Sequence, residues 1–127
     1  MLNKKNFYIN GKWVKPDSKK EIKVINPANE DVCTLITLGN KKDIDTAVSA
    51  AKEAFKLWGY SPKEERIDYL EKLYTLYKQR WDDFTNAIIL EMGAPKEFAS
   101  KLQVGAGAAH IKSFIKYLKE FNFDKPL

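Results

Sequence analysis

The sequence predicts an α+β chain: one or two N-terminal β-hairpins over residues 7–38, then about three long helices over residues 41–58, 62–92 and 95–121. Three observations carry that prediction. Asn10-Gly11 sits between two β-prone runs in FYINGKWV, the strongest short signal for a tight turn. Near residue 40 the apolar period lengthens from two to about 3.6 residues. Ser61-Pro62-Lys63-Glu64 then heads a long apolar stripe with the residues that start helices.

The first hairpin sets Tyr8 opposite Trp13. In EIKVINPANEDVCTLITL, two β-branched runs flank Asn26-Pro27-Ala28-Asn29, and Pro27 forbids one continuous strand, so a second hairpin or two strands joined by a turn is expected. Ile44, Ala47, Val48, Ala51, Phe55 and Trp58 make the stripe of the first helix, with Asn40 as its cap, Asp43 three residues on, and Gly59 as its stop. The second helix opens on a capping box of Ser61 and Glu64. It runs along Ile67, Leu70, Tyr74, Tyr77, Trp81, Phe84 and Ile88, with a kink expected between Arg80 and Asp83. The third uses Phe98, Leu102, Ala106, Ala109, Phe114 and Leu118 as its inner face.

Of 127 residues, 44% are hydrophobic and 31% charged, which suits one globular domain with a modest core. No repeat, low-complexity tract or Pro/Gly/Ser linker divides it. Twenty-two Lys and Arg against 17 Asp and Glu leave a charge of +5, but the basic residues fall in scattered pairs (Lys4-Lys5, Lys19-Lys20, Lys41-Lys42) rather than on one aromatic-studded face. A nucleic-acid partner is therefore not expected. No apolar run is long enough to cross a bilayer, so no membrane partner is expected either. One cysteine cannot form an internal disulfide, and the N-terminus has no apolar export region, which together predict a cytoplasmic setting.

LQVGAGAAHIK, residues 102–112, looks like a dinucleotide loop and fails the test of one. Such a loop needs a strand feeding it, a third glycine and an acid about twenty residues on. Here His110 takes the third position inside a predicted helix, so Gly105 and Gly107 read as a small-residue face for close packing. Cys33, mid-strand without a neighbouring base, reads as a small buried apolar residue. His110, the one histidine, lacks the companions of a metal site or triad. Glu64-Glu65 and Asp82-Asp83 are adjacent on helices and point apart, as solvated faces do.

Taken in order, FYINGKWV, VINPANEDV, DIDTAVSAAKEAFKLW and SPKEERIDYLEKLYTLYKQRWDDFTNAIILEMGAP resemble the N-terminal segment of the NAD(P)-dependent aldehyde dehydrogenase superfamily, from Phe7 to about Phe121. GAGAAH recurs in one bacterial branch of it. Glu30 departs from the pattern, since the turn after Pro27 often carries glycine there. The resemblance implies part of the α/β cofactor domain of an enzyme oxidising an aldehyde to a carboxylic acid with NAD or NADP. It puts the nucleophilic cysteine, the base glutamate and the nicotinamide loop downstream of Leu127, so neither catalytic nor cofactor-binding residues are expected in this chain. Implied partners are the remainder of the polypeptide and further copies in a homo-oligomer. A structural monovalent cation is implied at the carbonyls of Val24 or Ile25 and the carboxylate of Glu91, oxygen donors of the kind hard cations take. The competing reading is a free-standing helical interaction or oligomerisation module.

Overall fold

The computed structural model describes residues 2–124. Its elements are β1 (Leu2–Lys4), β2 (Phe7–Ile9), β3 (Lys12–Val14), β4 (Glu21–Ile25), β5 (Val32–Thr37), α1 (Lys41–Trp58), α2 (Lys63–Gln79), α3 (Trp81–Met92), a π-helix (Phe98–Val104) and α4 (Gly105–Glu120). Where one undivided domain is expected, the chain falls into two compact units: Met1–Tyr60 with Leu90–Gly93, and Ser61–Ile89 with Ala94–Leu127.

In the first unit, β2 and β3 form the Asn10-Gly11 hairpin. Both turn residues are left-handed, with φ of 52° and 74°, as a type I′ turn requires. Tyr8 pairs with Trp13, their rings edge to face at 5.2 Å. A second sheet has the order β1-β5-β4, with β4 antiparallel and β1 parallel to β5. The buried residues of β5 are Cys33, Thr34 and Thr37. The β4–β5 turn closes on Asn26, whose carbonyl accepts the Glu30 N–H at 2.8 Å and whose Oδ1 accepts the Ala28 N–H at 2.9 Å. Glu30 lies at φ 61°, a conformation costing a non-glycine residue roughly 1–2 kcal/mol, which explains why glycine suits this place. Gly93 ends α3 at φ 67°, and a Cβ there would stand 2.8 Å from the Ala28 nitrogen, so backbone meets backbone at this point.

In the second unit, α2 and α4 pack together. The α2 stripe lies half-buried as its spacing predicts, from Ile67 to Tyr77, and continues through Trp81, Phe84 and Ile88. The single helix expected over 62–92 is instead two helices broken at Arg80 (φ −103°, ψ 23°). The new start is stabilised by Asp82 and Asp83 at the positive end of α3 and by the Arg80–Asp83 contact at 3.0 Å. The expected Ser61–Glu64 box is also corrected. Pro62 occupies the cap without a side-chain bond, and the Ser61 hydroxyl accepts from Arg66 Nε at 2.9 Å.

Of the inner face expected for the third helix only Leu118 is half-buried, and Ala106 and Ala109 are exposed. Phe98, Leu102 and Phe114 are exposed, while Ala99, Val104 and Ala108 are buried. The π-helix is the cause: it brings residues five apart, here Ala99 and Val104, onto one side, and turns everything beyond out of an α-helical phase.

The N-terminus of α1 gathers four backbone N–H hydrogen bonds on the side chains of Asn40 and Asp43. Asn40 Oδ1 accepts the Asp43 N–H at 3.0 Å and Asp43 returns the bond to the Asn40 N–H at 3.0 Å, closing the capping box. The Asp43 carboxylate also accepts the N–H groups of Asp17 (2.7 Å) and Ser18 (3.3 Å), fastening the β3–β4 loop. Those N–H bonds, led by that of Asn40, hold the Asp43 carboxyl below its ordinary range. Lys42, with help from the Asn40 amide, lowers Asp17 in the same way, and Asp17 raises Lys42. A lowered carboxyl contributes stability that is present above its unfolded value of 3.8 and lost as pH falls through the folded one. The raised Lys42 contributes below 10.5 and ceases to as pH rises through its folded value. Melting temperature should therefore stay level across neutral pH and fall on the acid side below about 4. Asp43→Asn should lower it at pH 7 and flatten that acid limb. Asn40→Ala, which removes the other half of the box, should cost about 1 kcal/mol in urea unfolding.

Candidate functional site

Among the described residues no three His, Cys, Asp or Glu side chains gather as a metal site. Cys33 is buried, and its thiol donates to the Val24 carbonyl at 3.2 Å. His110 is exposed on α4, and the acid pairs stand in the first turns of α2 and α3. None forms a nucleophile–base pair. Also among the described residues, no helix is long and apolar enough to cross a membrane.

The residues implied for a cation all belong to the first unit. Val24 and Ile25 end β4 on either side of a register shift against β5. Glu91, in the last turn of α3, meets the Lys4 ammonium at 3.6 Å. The Val24 carbonyl and the Glu91 carboxylate thus have protein partners already, although a carbonyl has a second lone pair for another.

Gly105 and Gly107 lie in the first turn of α4 and follow the π-helix, not a strand. Gly107 faces Tyr77 of α2: a Cβ built there would overlap the phenol oxygen and stand 2.9 Å from Cζ. The Tyr77 hydroxyl donates to the Val104 carbonyl at 3.1 Å. Its ring stacks on Phe84 at 4.5 Å and meets Trp81 edge-on at 6.3 Å, while Trp81 Nε1 donates to Ser100 Oγ at 2.9 Å. The glycine therefore admits a tyrosine rather than a pyrophosphate. The missing Cβ at residue 107 is a sequence signal. Its partner thirty residues away is not, because the π-turn sets the facing.

Comparison with known proteins gives this strand–hairpin–helix order a family. The model of the aldehyde dehydrogenase family matches residues 13–125, and the chain belongs to that family. A 3-succinoylsemialdehyde-pyridine dehydrogenase from a Pseudomonas species is 38% identical, over 100% of this chain and 27% of the relative. The solved aldehyde dehydrogenase of Bartonella henselae superposes with a TM-score of 0.97 at 42% identity, again over 100% of this chain and 27% of that one. A variant of aldehyde dehydrogenase C from Pseudomonas syringae, solved with NAD+ and octanal, gives a TM-score of 0.93 at 34% identity, over 97% of this chain and 25% of its own. The chain therefore spans about a quarter of the length of the relatives it matches.

Gly107→Ala tests the packing role directly. Overpacking against Tyr77 should destabilise the chain by about 1–3 kcal/mol in urea unfolding. With Tyr77→Leu already in place the same change should become neutral or stabilising, since alanine is about 1 kcal/mol the better helix former. Equal effects in both backgrounds would exclude the contact as the reason for glycine.

Proposed function

We propose that this chain is the N-terminal scaffold of an NAD(P)-dependent aldehyde dehydrogenase that oxidises an aldehyde to a carboxylic acid, and that the segment alone is catalytically silent. The observation that carries this reading is the superposition at a TM-score of 0.97 on about a quarter of a solved family member. Large exposed apolar side chains on α1 and α4, among them Phe55, Trp58, Phe114 and Tyr117, support it, since the rest of such a fold would supply their cover. In the whole enzyme the nicotinamide would accept hydride. The residues of this chain would shape and stiffen the domain that holds it. The pure chain with a panel of aldehydes should reduce no NAD or NADP. A chimera joining it to the remaining length of the Bartonella henselae enzyme should restore aldehyde-dependent reduction. Turnover by the chain alone, or a folded chimera without activity, would overturn the reading.

The structural cation belongs to the same reading, held by the Val24 or Ile25 carbonyls and the Glu91 carboxylate. The donors suit it: they are hard oxygens, and one carboxylate balances one monovalent charge. Lys4 is the competitor for Glu91. Raising sodium or potassium against choline at fixed ionic strength should raise the melting temperature, and Glu91→Gln should abolish that dependence. An identical response in the variant would remove Glu91 from the site.

A further inference from the structure

In the first unit, the β3–β4 loop and the ends of β4 and β5 enclose a cleft of about 550 Å³ that none of the preceding roles uses. Its lining includes Lys5, Lys15, Lys19, Glu21, Ser18 and Thr37. The lining thus holds three lysines and one glutamate. Glu21 is taken by Lys5 at 2.7 Å, and Lys15 and Lys19 have no ion-pair partner among the described residues. The other acid of the loop, Asp17, is held by Lys42 at 2.6 Å and by the Asn40 amide at 3.0 Å, so it does not neutralise them.

Two hydroxyl-bearing residues line the same cleft. The Ser18 hydroxyl accepts the Lys20 N–H at 3.2 Å, which leaves its own proton to donate. Thr37 is 9% exposed, and its hydroxyl has no partner among the described residues. That hydroxyl is open to solvent, since no buried side-chain polar atom among the described residues lacks a partner, and it is free to donate to an acceptor in the cleft. The backbone of the loop carrying Lys15, Ser18 and Lys19 is fixed by the Asp43 carboxylate through the N–H groups of Asp17 and Ser18, so the ordering that binding must supply falls on the side chains.

We infer that this cleft binds a small, multiply charged anion, a phosphoryl or polycarboxylate group, through the Lys15 and Lys19 ammoniums and the Ser18 and Thr37 hydroxyls. Lysine holds such groups as a point charge, and exposed charges are screened by salt, so affinity falls as ionic strength rises. Titration calorimetry of the full chain at low salt, with inorganic pyrophosphate and with citrate as probes, tests this. One saturable site for either probe is expected, and the tighter of the two identifies the phosphoryl or the carboxylate class. Lys15→Gln with Lys19→Gln should weaken it about tenfold or more, and Thr37→Val by a smaller factor, with the circular dichroism spectrum unchanged. Lys72→Gln with Lys112→Gln, on the other unit, should leave affinity as it was. Unsaturable binding to both probes, undiminished binding in the Lys15/Lys19 variant, or an equal loss in the Lys72/Lys112 control would each overturn the inference.

Discussion

Among the described residues Val104 is the largest side chain that is completely buried, and the other buried apolar residues are small: Cys33, Ala94, Ala99 and Ala108. Phe55 and Phe114, by contrast, keep 65% and 67% of their surface exposed, although both stand where a helix would put its inward stripe. A large apolar side chain left in water forgoes roughly 1.5–3 kcal/mol of transfer free energy. That imbalance governs the rest of the molecule. Within this segment, backbone approach, capping and polar fastening work beside that limited burial to hold the elements in place.

The close approaches are made by small residues and by backbone that tolerates positive φ. Gly107 lets Tyr77 reach the Val104 carbonyl, and through the ring stack to Phe84 that single contact links α2, α3 and α4. Gly93 does the same for the last turn of α3 and the Pro27-Ala28 turn. Both remove a methyl group where two elements would otherwise stand apart.

What could be read from the residues follows from the range of the forces involved. The Asn10-Gly11 turn, the Asn40–Asp43 box and the α2 stripe are decided within a few residues, by φ preferences, orphan N–H groups and helical spacing, and they are legible. The π-helix is decided by what Ala99 and Val104 pack against, so a face read with a uniform period points Phe98 and Leu102 the wrong way. Ser61 shows the same limit, because Arg66 competes for the hydroxyl that local rules assign to a cap. The parallel pairing of β1 with β5 joins Lys4 to Ile36 across a long stretch of chain, and three residues carry no pattern that announces it. Of the candidate site, the glycines were visible and their tyrosine was not. The reach of Asp43 to Asp17 and Ser18 likewise left no local trace.

Charge in this chain divides into two kinds of use. Lys41–Asp45, Lys56–Glu53 and Lys101–Glu97 are neighbours on single helices, open to water, where such pairs contribute a few tenths of a kcal/mol and lose that in salt. They keep helix surfaces soluble without selecting a fold. Asp43 differs because its carboxylate is buried and meets backbone N–H groups from two separate segments, so protonating it releases both the start of α1 and the β3–β4 loop. That one carboxylate therefore joins two segments of the first unit, which none of these three surface pairs does.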